Sequence, residues 1–268
     1  EAVNPFLDFV KGLEDGLAAA RTLSVSGRRQ APLESDACVL LFSPHPDDEC
    51  ITGTLPLRLM REAGKRIVNV PVTFGSRKER RAERAAELEK ACAFLGWEVF
   101  HGSESYEPLT AADLARAMRR FRPETIVMPH ADDWNPRHVS THLLVVDGLK
   151  AMRTAFTCNV VETEFWRAMS DPNVMVEADA ETVADLVAAT SLHAGEVARN
   201  PYHLLLPAWM QDNVRRGSEL LGGIGTPAAD FSFATLYRLR AWRNGGFVDI
   251  LERGQSIPMG SNLLDELL

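Results

Sequence analysis

A chain of 268 residues, 46% hydrophobic and 25% charged, has the composition of a globular protein and the length for one large domain or two small ones. Its formal net charge of -8 argues against nucleic acid or an anionic membrane as the main partner. No apolar run approaches the ~20 residues of a transmembrane segment, and no charged-then-apolar signal peptide opens the sequence, although Glu1 as first residue suggests trimming. Cys38, Cys50, Cys92 and Cys158 are scattered, and Cys38 and Cys92 sit in apolar elements as small core residues. Nothing requires disulfides, so the default compartment is a reducing cytoplasm.

In chain order, residues 4–23 show an amphipathic helical pattern with Phe6, Phe9, Val10, Leu13 and Leu17 on one side. That face is expected to be buried, against the core or against a second subunit in a homo-oligomer. Residues 24–36 are polar and turn-rich, so residues 1–36 read as an N-terminal helical extension and 37–268 as a single domain with a C-terminal elaboration. Strand-like runs at 38–43, 67–74, 97–101 and 124–129 alternate with helix-like runs at 51–63, 77–95, 110–121 and about 138–155. Such alternation predicts an α/β, Rossmann-like three-layer fold with a mostly parallel sheet. Further on, 159–167 and 174–177 read as strands, 180–199 and about 207–221 as helices, and 233–243 as a late strand. There is no internal repeat, low-complexity tract or linker.

The chemistry concentrates after the run Cys38-Val39-Leu40-Leu41-Phe42, which reads as a fully buried strand. Pro44 and Pro46 stop that strand and stiffen the turn. His45 and Asp48 offer a nitrogen and an oxygen ligand to a divalent metal, and Asp47 between them is free to act as a base toward metal-activated water. A bare Asp-Asp-Glu would only cap a helix N-terminus. That role does not account for a histidine at a strand end, which is where α/β folds place ligands.

A second strand, Glu124-Thr125-Ile126-Val127-Met128-Pro129, is followed by His130, Asp132, Asp133, Asn135, Arg137, His138 and His142. His138 and His142, four apart, share a helix face, and one or both can complete the metal site. Parallel neighbours bring their carboxyl ends to one edge of the sheet. His45, Asp48 and His138 supply the three protein ligands and open position of a catalytic zinc, with His142 in reserve.

The run Pro44-His45-Pro46-Asp47-Asp48-Glu49 resembles the signature of the LmbE-like, PIG-L de-N-acetylase family. Arg84-Ala85-Ala86-Glu87-Leu88, with Ala91 and Leu95-Gly96, is similar to that family's Arg-x-x-Glu-Leu helix, and Asp133-Trp134-Asn135-Pro136-Arg137-His138 lies where the family carries His-x-Asp-His. The resemblance covers roughly residues 37 to 150. It implies a metal-dependent, zinc-type amide hydrolase that removes acetyl from an N-acetylglucosamine-type small-molecule conjugate. It implies His45, Asp48 and His138 as metal ligands, Asp47 as general base and Arg84 as a substrate-binding arginine.

The chain departs from the family pattern at two positions: Asn135 replaces a histidine that serves the oxyanion and leaving group, and Arg137 replaces an acid beside the metal histidine. Asn donates a hydrogen bond but shuttles no proton. The acid is therefore expected at His142, His130 or Asp47 itself. These departures also support an alternative, a metal-binding relative that has lost catalysis and serves as an interaction protein. A nucleotide or sugar-phosphate binder is disfavoured, because the first strand is followed by an acidic loop and not by Gly-x-Gly-x-x-Gly. A hydrolase of some other small amide stays open, as does iron, cobalt or nickel in place of zinc.

Overall fold

In the computed structural model the described residues are 6–25 and 37–263. The polar segment read at 24–36 therefore lies almost wholly outside them. The strands are β1 (Cys38–Ser43), β2 (Arg66–Pro71), β3 (Glu98–Val99), β4 (Thr125–Pro129), β5 (Cys158–Thr163), β6 (Val174–Ala178), β7 (Phe233–Arg243), β8 (Gly246–Asp249) and β9 (Gln255–Ile257). The helices are α1 (Leu7–Ala20), α2 (Asp48–Ile51), α3 (Thr54–Ala63), α4 (Arg81–Leu95), α5 (Ala111–Phe121), α6 (Pro136–Lys150), α7 (Ala180–Ser191), α8 (Ala194–Arg199) and α9 (Leu206–Gly222).

The strands join in one nine-stranded sheet of order β3-β2-β1-β4-β5-β7-β6-β9, with β8 paired to β7. The first five strands run parallel, and β7 is antiparallel to both β5 and β6. Successive side chains on a strand face opposite ways, and here both sides are dry. Val39, Leu41, Val127 and Val161 enter a core with α3, α4 and α7, whereas Leu40, Phe42, Ile126, Met128 and Val160 enter a second core with α5 and α6. Burial on both faces is why β1 and β4 read as continuous apolar runs. The expected three-layer α/β fold with a mostly parallel sheet is thus present. The four cysteines are buried and free. No helix among the described residues is long and apolar enough to cross a membrane.

Several boundaries differ from the sequence reading, for local reasons. The helix read at 51–63 is two, α2 and α3, broken at Thr52-Gly53. The buried Tyr237 hydroxyl donates to the Thr52 carbonyl (3.2 Å) and accepts the Leu55 N–H (3.0 Å), capping both sides of the break. A Cβ at Gly53 would lie 2.3 Å from Leu186 Cδ2, so the break packs directly on α7. The helix read at 180–199 is also two, α7 and α8, because the intervening His193 turns inward. The hairpin β7–β8 escapes the apolar pattern, although Asn244-Gly245, both at positive φ, is its turn signal.

Of the two burials expected for the N-terminal helix, the one against the core of its own chain is not seen, and the one against a second subunit lies beyond a single chain. α1 forms, but none of its residues is buried, and Phe6, Phe9, Val10, Leu13 and Leu17 remain exposed.

Arg58 on α3 is almost fully buried and ties that helix to the β6–β9 edge of the sheet. Its guanidinium pairs with Glu62 (2.6 Å) and donates to the carbonyls of Glu177 (3.0 Å), Ile257 (3.3 Å) and Pro258 (3.0 Å). Arg58→Ala strands those acceptors in a dry site. It is expected to cost about 3 kcal/mol or more in a denaturant titration; a loss below about 1 kcal/mol would mean that water replaces the guanidinium.

Candidate active site

The site forms where the strand order turns back on itself. β1 lies between β2 and β4, and α/β sheets bind ligands outside the carboxyl ends of the strands at such a point. The turn after β1 carries His45, Asp47 and Asp48, and the loop after β4 carries Asp133, Asn135 and His138 at the start of α6.

Ligand atoms of His45, Asp48 and His138 lie within 4.8 Å of one another. Asp48 Oδ2 accepts the His45 N–H (2.9 Å) and sits 3.1 Å from His45 Nδ1 and 3.3 Å from His138 Nε2. His138 is completely buried, yet neither of its ring nitrogens makes a hydrogen bond of good geometry. Behind it, Asp133 Oδ2 lies 3.5 Å from Nδ1. Asp133 is itself fixed by the N–H groups of Asn135 (2.7 Å) and Trp166 (3.2 Å). An orphaned imidazole nitrogen facing a carboxylate, with a second carboxylate behind the ring, is a donor set that fits a divalent cation. Burial alone would lower the pKa of His138, but the Asp48 and Asp133 carboxylates outweigh it and raise it to about 10. Burial would raise Asp48, but the two histidines bring it well below the carboxylate range.

Asp47 occupies a backbone conformation at φ 113°, which costs a non-glycine residue about 1–3 kcal/mol. Glu49 holds it there. Its Oε2 accepts the Asp47 N–H (2.9 Å), and its Oε1 pairs with Nε2 of the buried His193 (2.7 Å). Cys50 Sγ donates to the same Oε1 (3.2 Å), so the Glu49–Cys50–His193 group acts as a prop beneath Asp47, while the buried His193 Nδ1 has no hydrogen-bond partner. On the open side the Tyr202 hydroxyl donates to Asp47 Oδ2 (2.5 Å), and Arg84 Nη2 lies 3.6 Å from Oδ1. Burial and the neighbouring Asp48 carboxylate push Asp47 up to about 8. A divalent cation on the adjacent ligands would lower it.

Asp47, Arg84 and Asn135 line a cleft of about 480 Å³ that Phe74 and Trp166 also wall. Asn135 caps α6, its Oδ1 accepting the Arg137 N–H (2.9 Å), which leaves its amide NH2 as a donor. His142 and His130 are not among the cleft residues. His142 Nδ1 engages the Pro129 carbonyl (2.9 Å), and His130 Nε2 engages the Arg167 carbonyl (2.9 Å). Arg137 is exposed, and the carboxylate beside the metal-type histidine comes from Asp133. The replacement at position 137 therefore does not leave His138 without an acid.

Sequence reasoning assigns no role to Asp133, although it stands in the polar cluster after β4. It also misses Tyr202, Glu196 and Trp166, which no local pattern marks. His193 after a long helix is a faint signal, because a histidine that interrupts helical periodicity has some other partner.

Fold and site define a Rossmann-like α/β protein with a candidate metal centre at the carboxyl ends of its parallel strands. Residues 40–149, less than half of the chain, match the family described as PIG-L: GlcNAc-PI de-N-acetylase. Solved structures share the fold. N,N'-diacetylchitobiose deacetylase from Pyrococcus horikoshii is 16% identical with a TM-score of 0.54, covering 89% of this chain and 94% of that one. A zinc-inhibited form of teicoplanin deacetylase Orf2 is 14% identical with a TM-score of 0.58, covering 77% and 98%. GalB, the 4-carboxy-2-hydroxymuconate hydratase from Pseudomonas putida KT2440, is 20% identical with a TM-score of 0.56, covering 76% and 95%. No curated protein matches the chain. At these identities the likeness is one of fold, and the hydratase shows that the fold does not choose the reaction.

Proposed function

We propose that the chain hydrolyses the N-acetyl group of a small-molecule N-acetylglucosamine-type conjugate, with a divalent cation, zinc first, held by His45, Asp48 and His138. The observation that supports this best is the convergence of those three donors beside a buried, tilted-up carboxyl, Asp47. When bound, the cation would polarise the acetyl carbonyl and acidify water.

The chain's own groups account for the proton movements. Asp47 takes a proton from the attacking water as the new C–O bond forms. The Asn135 amide donates to the developing oxyanion, a contribution of about 10²–10³ in rate. Asp47 then returns its proton to the nitrogen as the C–N bond breaks, giving amine and acetate. One carboxyl that takes up and returns the same proton makes a separate histidine acid unnecessary. Tyr202 and Glu49 aim Asp47, Asp133 aims His138, and the rings of Phe74 and Trp166 offer apolar walls to a sugar. Asp133 beside His138 supports the metal-binding part of this reading.

The test is an acetate-release assay on N-acetylglucosamine conjugates with protein loaded separately with zinc, cobalt, nickel and iron. The metal series matters because a relative of the same fold is known in a zinc-inhibited form. Acetate release that chelator abolishes is the expected result. Metal binding with no release from any conjugate would favour the non-catalytic alternative.

A further inference from the structure

Neither local propensity nor packing within one chain accounts for α1. It has 14 residues, a length at which an isolated helix is marginal in water. No side chain caps its N-terminus, and Gly12 and Gly16 weaken its interior, glycine being the poorest helix former after proline. Helices in proteins draw most of their stability from packing an apolar face, yet no residue of α1 is buried. Phe9, Val10, Leu13 and Leu17 share one face and are 67%, 49%, 51% and 39% exposed. Nothing in the chain requires glycine beside them, because a Cβ at Gly12 or Gly16 would meet nothing within 4 Å. Four residues apart on the flank of the apolar face, the two glycines leave room for a second helix to come close.

The chain also carries a seat of matching chemistry, apart from the active-site cleft. A groove of about 500 Å³ runs by α7, lined by Val183, Ala184, Val187 and Ala188 and by Leu204 and Phe233. No acid, lysine or arginine lines it, and His203 is its one titratable side chain. Such a lining suits apolar side chains, and the small residues of α7 admit a helix at close range. The end of α1 touches this groove through Ala20, and Leu23 and Val25 follow, but the apolar face of the helix does not line it. The junction is pinned. The N–H groups of Thr22 and Leu23 donate to the carbonyls of Ala19 and Ala20 (3.2 Å each), and Thr22 Oγ1 donates to the Ala19 carbonyl (2.9 Å). That turn carries α1 away from its own groove instead of laying it back along it.

We infer that two copies of the chain dimerise by exchanging α1, each helix seating Phe9, Leu13 and Leu17 in the α7 groove of the other copy. One chain has an apolar helix face to cover and an apolar groove to fill, and a two-fold pair meets both needs at once. The area suffices. The exposed parts of Phe9, Val10, Leu13 and Leu17 come to roughly 400 Å² per helix, and with the groove surface they cover, two such contacts bury about 1,600 Å², the size of a stable protein–protein interface. The inference stands independently of the proposed reaction, because neither α1 nor the α7 groove contributes to the active-site cleft.

Light scattering tests this on the full chain, on a helix variant, Leu13→Asp/Leu17→Asp, and on a groove variant, Ala184→Arg. All three replaced side chains are exposed, so both variants should fold, which circular dichroism checks. The unchanged protein is expected at twice the 29.6 kDa of one chain, and each variant at half that mass. Mixed in equal amounts and concentrated, the two variants should associate again. The helix variant still offers an intact groove and the groove variant an intact α1, so one of the two contacts is restored. A monomeric unchanged protein overturns the inference, and flotation of that monomer with phosphatidylcholine vesicles would assign α1 to a lipid surface instead. A mass that does not halve in the groove variant also overturns it, since α1 would then pair directly with α1. Variants that stay monomeric when mixed overturn it as well.

Discussion

Asp47→Asn is expected to keep its metal and lose hydrolysis by about 10³-fold or more, the upper range for removal of a general acid–base group that acts in two steps. The substitution is nearly isosteric. An amide oxygen can still accept from the Tyr202 hydroxyl, and the Glu49 carboxylate still accepts the backbone N–H of residue 47. Asparagine also tolerates a positive φ better than most residues. Melting temperature should therefore hold or rise slightly, so lost activity reports chemistry and not unfolding. The measurement is kcat on an identified substrate together with metal content. Activity within tenfold of the parent protein would remove Asp47 from the role of base.

His138→Ala is expected to empty the site. It removes a ligand and leaves the buried carboxylates of Asp48 and Asp133 facing each other without the cationic ring between them. Metal content after dialysis should fall to background, while Asp133→Asn, which only loosens the ring, should weaken affinity by about 10–100-fold. Full occupancy in His138→Ala would refute the ligand set.

The same histidine sets the pH dependence. Its pKa in the metal-free protein is raised to about 10, above its ordinary value of 6.5. The stabilisation this represents is complete below about pH 6.5 and fades as pH rises through about 10. Metal-free protein should therefore lose melting temperature across that window. Metal must displace the proton, so affinity should rise about tenfold per pH unit through neutrality. A pH-independent affinity between pH 6 and 8 would show that His138 is already neutral.

Much of this molecule is written locally. β1 and β4 are legible because a strand buried on both faces needs an unbroken apolar run, and prolines mark where each run ends. The site's first half follows from the same logic, since His45, Asp47 and Asp48 occupy consecutive positions at one strand end. His138 is legible as a histidine at the start of the helix that follows β4. The sequence alone therefore determined the α/β class, the sheet edge that carries the site, and the residue types gathered there.

Only the tertiary structure decided which groups surround them. Asp133 reaches His138 because Asn135 caps α6 and folds the loop back, a geometry that spacing does not reveal. Tyr202 and His193 come from elements 155 and 144 residues away from their partners Asp47 and Glu49. His193 even breaks a helix that periodicity reads as continuous. His142 shares a helix face with His138, yet its Nδ1 engages the Pro129 carbonyl and it does not line the cleft. A local pattern records what a segment must bury against solvent. Hydrogen bonds between distant segments are set by how the layers pack, and no local period carries that information.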